Sequence, residues 1–125
     1  MRILSTRIHG VLDYGMGLLL IAVPYLFGFA NGSAAQYVPQ ALGAGAILYS
    51  LFTRYELGLV HLLPMRAHLG LDIASGVFLA LSPWIFGFAD ATHWPHVILG
   101  AIEIVTALMT RTAPDESFQL AHARR

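Results

Sequence analysis

The chain has 125 residues, 57% of them hydrophobic and only 11% charged, with a mean hydropathy of +0.66 and a formal net charge of zero. Soluble domains run nearer roughly 45–50% apolar and about 25% charged, and seven arginines with seven acids are too few to clothe a water-soluble fold of this size. An ordinary soluble enzyme, a disordered segment and a basic nucleic-acid binder are therefore excluded, and the lack of cysteine removes disulfides, Cys-ligated zinc and iron–sulfur clusters. An integral membrane protein remains.

Arg2 and Arg7 lead into the first apolar stretch, 11–30, whose one charge is Asp13. A helix rises about 1.5 Å per residue and the hydrocarbon core is about 30 Å thick, so twenty such residues cross it. The predicted span is 8–30. Residues 37–52 carry no charge, and Thr53 and a snorkelling Arg54 extend them to a second span, 37–54. The apolar run 57–63 is too short to cross and reads as an interfacial helical turn ended by Pro64. A third span, 68–89, holds Asp72, and a fourth, 94–111, holds Glu103 and ends on Thr110 and Arg111. The polar tail, 113–125, carries Asp115, Glu116, Arg124 and Arg125; it reads as a docking extension or a loose end. A secretory-signal reading of 1–35 is set aside, because the apolar run is too long, contains Asp13 and has a mid-chain counterpart.

All seven arginines fall on one side of these spans, which the positive-inside rule makes cytoplasmic. Both termini are expected inside and the short loops 31–36 and 90–93 outside. Tyr25, Phe27, Phe29, Tyr37, Trp84, Phe86, Phe88 and Trp94 agree, clustering at the outer boundary as an aromatic belt.

Sliding the sequence by 59 residues lays 7–31 on 66–90, matching Arg7/Arg66, His9/His68, Asp13/Asp72, Gly17/Gly76, Pro24/Pro83 and Gly28/Gly87 among others. An offset of 57 then lays 37–54 on 94–111, matching Gly43/Gly100, Thr53/Thr110 and Arg54/Arg111. Shared hydrophobicity does not align His, Asp, Pro and Arg, so the chain is a tandem repeat. The organisation follows: a first two-helix unit at 1–56, a connector at 57–65, a second unit at 66–112 and the tail at 113–125. Each unit has an even number of spans, so the halves enter the membrane from the same side. They form two parallel helical hairpins related by a pseudo-twofold along the membrane normal. The expected fold is an all-α, four-helix membrane bundle.

The third span carries Ser82-Pro83-Trp84 followed by Ile85-Phe86-Gly87-Phe88-Ala89, with His68 and Asp72 upstream. Two copies of a two-helix unit with this motif resemble the SPW-repeat family of small bacterial membrane proteins. The first copy departs from it, reading Val23-Pro24-Tyr25. The resemblance covers the chain to about Arg111. It implies the fold and a bacterial inner (cytoplasmic) membrane, multi-pass setting rather than a chemistry.

Several residues are marked as candidates. Pro24 and Pro83 interrupt helices near the outer face, giving either a gating hinge or a fixed bend, with Ser82 available to freed backbone and Trp84 as an interfacial anchor. His9/Asp13 and His68/Asp72 are i,i+4 pairs on faces that continue through Gly17 and Gly76 into the bundle. With Arg54 and Arg111 ending the partner spans at the same depth, they read as an Asp–Arg–His clasp. The same residues also allow a proton or ion relay, a His–carboxylate metal site, or a haem held by His9 and His68. Glu103 lies near mid-membrane and its repeat partner is Ala46, so symmetry does not explain it. It is either a functional carboxylate or a buried hydrogen-bonding group, with Tyr49 or Ser50 as partner. The small-residue run Ala41-Leu42-Gly43-Ala44-Gly45-Ala46 of the second span, with Gly17, Gly76 and Gly100, is expected to let helices approach closely, and His93 and His96 to sit at the outer interface.

No nucleophile–base set, phosphate loop or metal motif is legible, so the chain reads as non-enzymatic, with no cofactor assigned. The expected partners are the lipid bilayer and further membrane-protein chains, as a homo-oligomer or a larger assembly, and no nucleic acid. A proton-, ion- or small-solute-conducting oligomer and a haem- or quinone-associated redox subunit are the alternatives.

Overall fold

The computed structural model describes residues 2–123; Met1, and Arg124 and Arg125 of the predicted inner side, lie outside the described residues. Five helices occur among these residues: α1 (Thr6–Leu26), α2 (Ala34–Leu51), α3 (Met65–Ile85), α4 (Trp94–Met109) and α5 (Glu116–His122). α1 and α3 are long and apolar enough to cross a membrane, and α4 is a shorter apolar helix. α1 packs along α2 and α3 along α4; the two hairpins then meet mainly through α2 and α3, and more loosely through α1 and α4.

Side chains explain where the helices start. Ser5 accepts a hydrogen bond from the Ile8 N–H and Ser33 from that of Ala35, each satisfying a donor the first turn leaves free. Pro95 occupies the first turn of α4, where its missing N–H costs nothing.

The ends of α1 and α3 lie earlier than the predicted spans. Both helices stop at a glycine with positive φ, Gly28 and Gly87, each at +74°. Beyond each glycine the chain turns back, and Phe29 N–H donates to Pro24 O just as Phe88 N–H donates to Pro83 O, both at 2.8 Å. This is a Schellman closure, with a phenylalanine after the glycine covering the last turn. Pro24 and Pro83 thus stand in the last turn of their helices rather than upstream of a continuing one. The interruption works as a stop. Ser82 Oγ donates to Leu79 O, the carbonyl that Pro83 leaves without its helical donor, at 2.7 Å.

Glycines set the distance between helices inside each hairpin. A Cβ placed on Gly43 would meet the Gly17 carbonyl at 2.5 Å, and one on Gly100 would meet the Gly76 carbonyl at 2.5 Å. Backbone touches backbone at the same level of both repeats.

The repeat extends to the ends of the helices. Leu4, just before α1, pairs in parallel with Thr110 after α4, and Leu63, just before α3, pairs in parallel with Thr53 after α2. Leu4 N–H donates to Met109 O and Arg111 N–H to Leu4 O; Leu63 N–H donates to Phe52 O and Arg54 N–H to Leu63 O. Each lead-in strap therefore docks on the end of the other hairpin. The connector 52–64 is built from turns and this strap, and the expected interfacial helical turn at 57–63 does not form. The backbone of Leu59, Val60, Leu62 and Leu63 donates instead to the last carbonyls of α2, Leu51 and Phe52. α5 folds back onto the connector, its Phe118 and His122 rings against His61.

Burial is inverted relative to a soluble protein. Large apolar side chains such as Val11, Leu18, Leu48, Leu81 and Val105 face outward, whereas His9, His68, Asp72, Ser50, Thr53 and Thr110 are buried. A core of this kind fits an apolar surrounding solvent.

Candidate functional site

His9 and Asp13 sit one turn apart on α1, and His68 and Asp72 sit one turn apart on α3, about 10 Å from the helix starts at the carboxylates. Pseudo-symmetry brings the two pairs face to face. His9 Nε2 lies 2.7 Å from Asp72 Oδ2, and His68 Nε2 lies 2.5 Å from Asp13 Oδ2. The contacts within each helix are longer, 3.1 Å for His9–Asp13 and 3.3 Å for His68–Asp72. Each histidine therefore pairs chiefly with the aspartate of the other repeat. The four ligand atoms lie within 4.8 Å of one another, and both imidazoles are fully buried.

The outer nitrogens of the imidazoles are held as symmetrically. His9 Nδ1 is 2.7 Å from Thr110 Oγ1, and His68 Nδ1 is 2.8 Å from Thr53 Oγ1. Both threonine hydroxyls lie 2.6 Å from the carbonyl four residues back, Thr106 O and Tyr49 O. Two oxygens that close share a proton, so each hydroxyl donates to its carbonyl and offers a lone pair to the imidazole. Each histidine thus carries a proton on Nδ1 and turns Nε2 toward the carboxylates. The centre touches α1 and α3 directly, α2 through Thr53 and α4 through Thr110. It ties both hairpins together.

The symmetry breaks at the second carboxylate oxygen. Tyr49 OH donates to Asp72 Oδ1. The position equivalent to Tyr49 is Thr106, and among the described residues no hydroxyl donates to Asp13 in the same way. Asp13 instead lines a cleft of about 250 Å³ between α1 and α4, together with Glu103, Thr106 and apolar side chains including Met16, Leu19 and Ile102. Glu103 accepts from Ser75 Oγ at 3.0 Å.

Several sequence expectations are corrected by this geometry. Arg54 and Arg111 are not part of the centre. Their backbone N–H groups hold the straps, which leaves the Arg54 guanidinium on His61 O at 3.2 Å and that of Arg111 4.0 Å from Asp115 at the surface. The threonine one residue earlier faces inward in their place. Glu103 bonds Ser75, not Tyr49 or Ser50; the Tyr49 hydroxyl is taken by Asp72, and Ser50 Oγ is buried without a partner. A haem between His9 and His68 does not fit, because the Oδ2 atoms of Asp13 and Asp72 stand where the macrocycle would pass. His96 is buried against Phe29 and Phe88 and bonds Ala35 O at 2.9 Å, while His93 bonds Ala89 O. Trp84 is exposed, its ring tilted at 49° to that of His93 with the centroids 5.8 Å apart.

Thr53, Thr110 and the Tyr49–Asp72 contact are the functional residues that sequence reasoning missed. The signal for the threonines was present, since Thr53 and Thr110 are identical across the repeat and each directly precedes an arginine.

No curated protein and no solved structure matches the chain. Residues 7–110 match the family model described as the SPW repeat domain, a stretch that begins just before His9 and ends on Thr110, so it contains the whole quartet and both supporting threonines. The chain belongs to the SPW repeat domain family.

Proposed function

We propose that this chain is a non-enzymatic, multi-pass module of the bacterial inner membrane: four spans in one bundle, both termini cytoplasmic, serving as a structural or accessory subunit of a larger membrane assembly or of a homo-oligomer. The observation that carries the reading is the crossed quartet. The shortest His–Asp contacts cross from one hairpin to the other, so the polar centre ties the two halves together. Breaking such a buried pair costs about 3–5 kcal/mol, far more than a surface ion pair contributes. The outward-facing apolar side chains support a lipid or protein environment on every side. Five arginines, Arg2, Arg7, Arg54, Arg66 and Arg111, flank the helix ends where the straps and the connector gather, which supports the inward orientation.

The test is the company the chain keeps. Extraction from native membranes in a mild detergent, followed by light scattering and identification of co-purifying chains, is expected to give a homo-oligomer or a stoichiometric complex. A monodisperse monomer of 13.6 kDa with no partner chain would overturn the reading.

A conducting role has one observation in its favour: Asp13 and Glu103 share a cleft open to the side of the bundle. Proton flux into liposomes, compared between the natural chain and Glu103→Gln, decides it. Equal flux removes Glu103 from any such path.

A further inference from the structure

We infer that the His9–Asp13–His68–Asp72 quartet is a binding site for one divalent transition-metal ion, with Zn²⁺ as the best-fitting occupant.

The argument starts from proton positions. The Thr53 and Thr110 hydroxyls give their protons to helix carbonyls, so both Nδ1 atoms carry a hydrogen and both Nε2 atoms are left to face carboxylate oxygens. A bare Nε2 lone pair at 2.5–2.7 Å from a carboxylate oxygen is repulsive, and something positive has to lie between them. Two protons meet that need, one on each ring. One divalent cation meets it equally, since two aspartates with two neutral imidazoles sum to a charge of −2. The quartet therefore exchanges two protons for one ion at constant net charge.

The geometry suits the exchange. Two imidazole nitrogens and two carboxylate oxygens, one atom from each residue, converge within 4.8 Å of one another. Ligands at about 2.0–2.2 Å around tetrahedral zinc stand roughly 3.4 Å apart. The N···O separations here are 2.5–3.3 Å and the widest separation in the set is up to 4.8 Å, so seating the ion opens the shortest by about 1 Å and draws the widest in by about 1.4 Å. The outer support that fixes metal-bound histidines is already in place, a hydroxyl on each Nδ1–H and the Tyr49 hydroxyl on Asp72. The nearest approach is the cleft of Asp13, Glu103 and Thr106, where the Tyr-to-Thr difference between the repeats leaves the Asp13 side chain 11% exposed against 5% for Asp72.

Co²⁺ is the probe. The full chain in detergent, stripped with a chelator, is expected to take up one Co²⁺ with the intense visible bands of a tetrahedral ion. It should release about two protons per ion in weakly buffered solution and lose the bands to one equivalent of Zn²⁺. His68→Gln is expected to weaken Co²⁺ binding at least about tenfold. His61→Ala combined with His122→Ala, which removes the surface histidine pair beside α5, leaves binding unchanged. No saturable Co²⁺ uptake, weak octahedral bands, or loss of the signal in the His61/His122 variant overturns the inference. Should His68→Gln not fold, Thr53→Val decides, since it retains all four ligands: affinity about tenfold lower with one-to-one stoichiometry supports the site, and unchanged affinity overturns it.

Discussion

At the scale of single residues, the threonines matter as much as the charged groups they support. Replacing Thr110 by Val keeps the shape but leaves the His9 Nδ1–H buried with no acceptor, a cost of about 1–3 kcal/mol. Thr53→Val strands the His68 Nδ1–H in the same way. The pair should therefore lower the melting temperature in detergent by similar amounts, and a loss confined to one of them would contradict the symmetric assignment. Tyr49→Phe removes the second donor on Asp72 and should cost about 1.5–3 kcal/mol by the same measurement, while Glu103→Gln, which keeps an acceptor for Ser75, should cost far less. The His and Asp positions were legible in the sequence because their spacing repeats. Their pairing across the repeat was not, since i,i+4 spacing favours the partner within the helix and only the meeting of the two hairpins brings the opposite carboxylate closer. Charge also drew attention to Arg54 and Arg111, when the uncharged residue before each one faces the interior.

At the scale of helices, the hairpins depend on glycines whose roles differ sharply by position. Gly43→Ala and Gly100→Ala push a methyl group into a backbone carbonyl of the neighbouring helix, and an overpacked contact of this kind costs about 1–3 kcal/mol. Gly15 and Gly45 face open space, so alanine there should be neutral or stabilise by about 0.5–1 kcal/mol through helix propensity alone. Chemical denaturation of the four variants separates the two classes. That glycines line helix contacts was readable from their recurrence, but which ones touch was not, because α2 alone carries two and only one faces α1. Helix ends were harder still. Apolar sequence continues past Leu26 and Ile85, so hydrophobicity extended both spans, while the backbone stops where glycine permits positive φ. The connector misled in the same way, its leucines reading as helix although their N–H groups are used to cap α2.

At the scale of the whole molecule, the tandem repeat was the most legible property in the sequence, and equivalent straps stand at Leu4 and Leu63. Those straps make the order of the hairpins nearly arbitrary. A circular permutant that starts at Leu59 and links the tail to Arg2 through a flexible linker should fold, form the quartet and melt within a few degrees of the parent chain. The check is its denaturation profile with its Co²⁺ spectrum; an unfolded or aggregated permutant would show that the covalent connector, not the strap, holds the halves in register.

The crossed pairing also sets what each half needs from the other. One hairpin alone has a histidine with the wrong aspartate beside it and a strap with nothing to dock on, so a half-length chain is complete only as a pair of identical copies. In such a pair every substitution appears twice. In a single chain the two halves are free to differ, and they do: Tyr49 of the first unit seals Asp72 of the second, whereas Thr106 at the equivalent position and Glu103 line an opening beside Asp13.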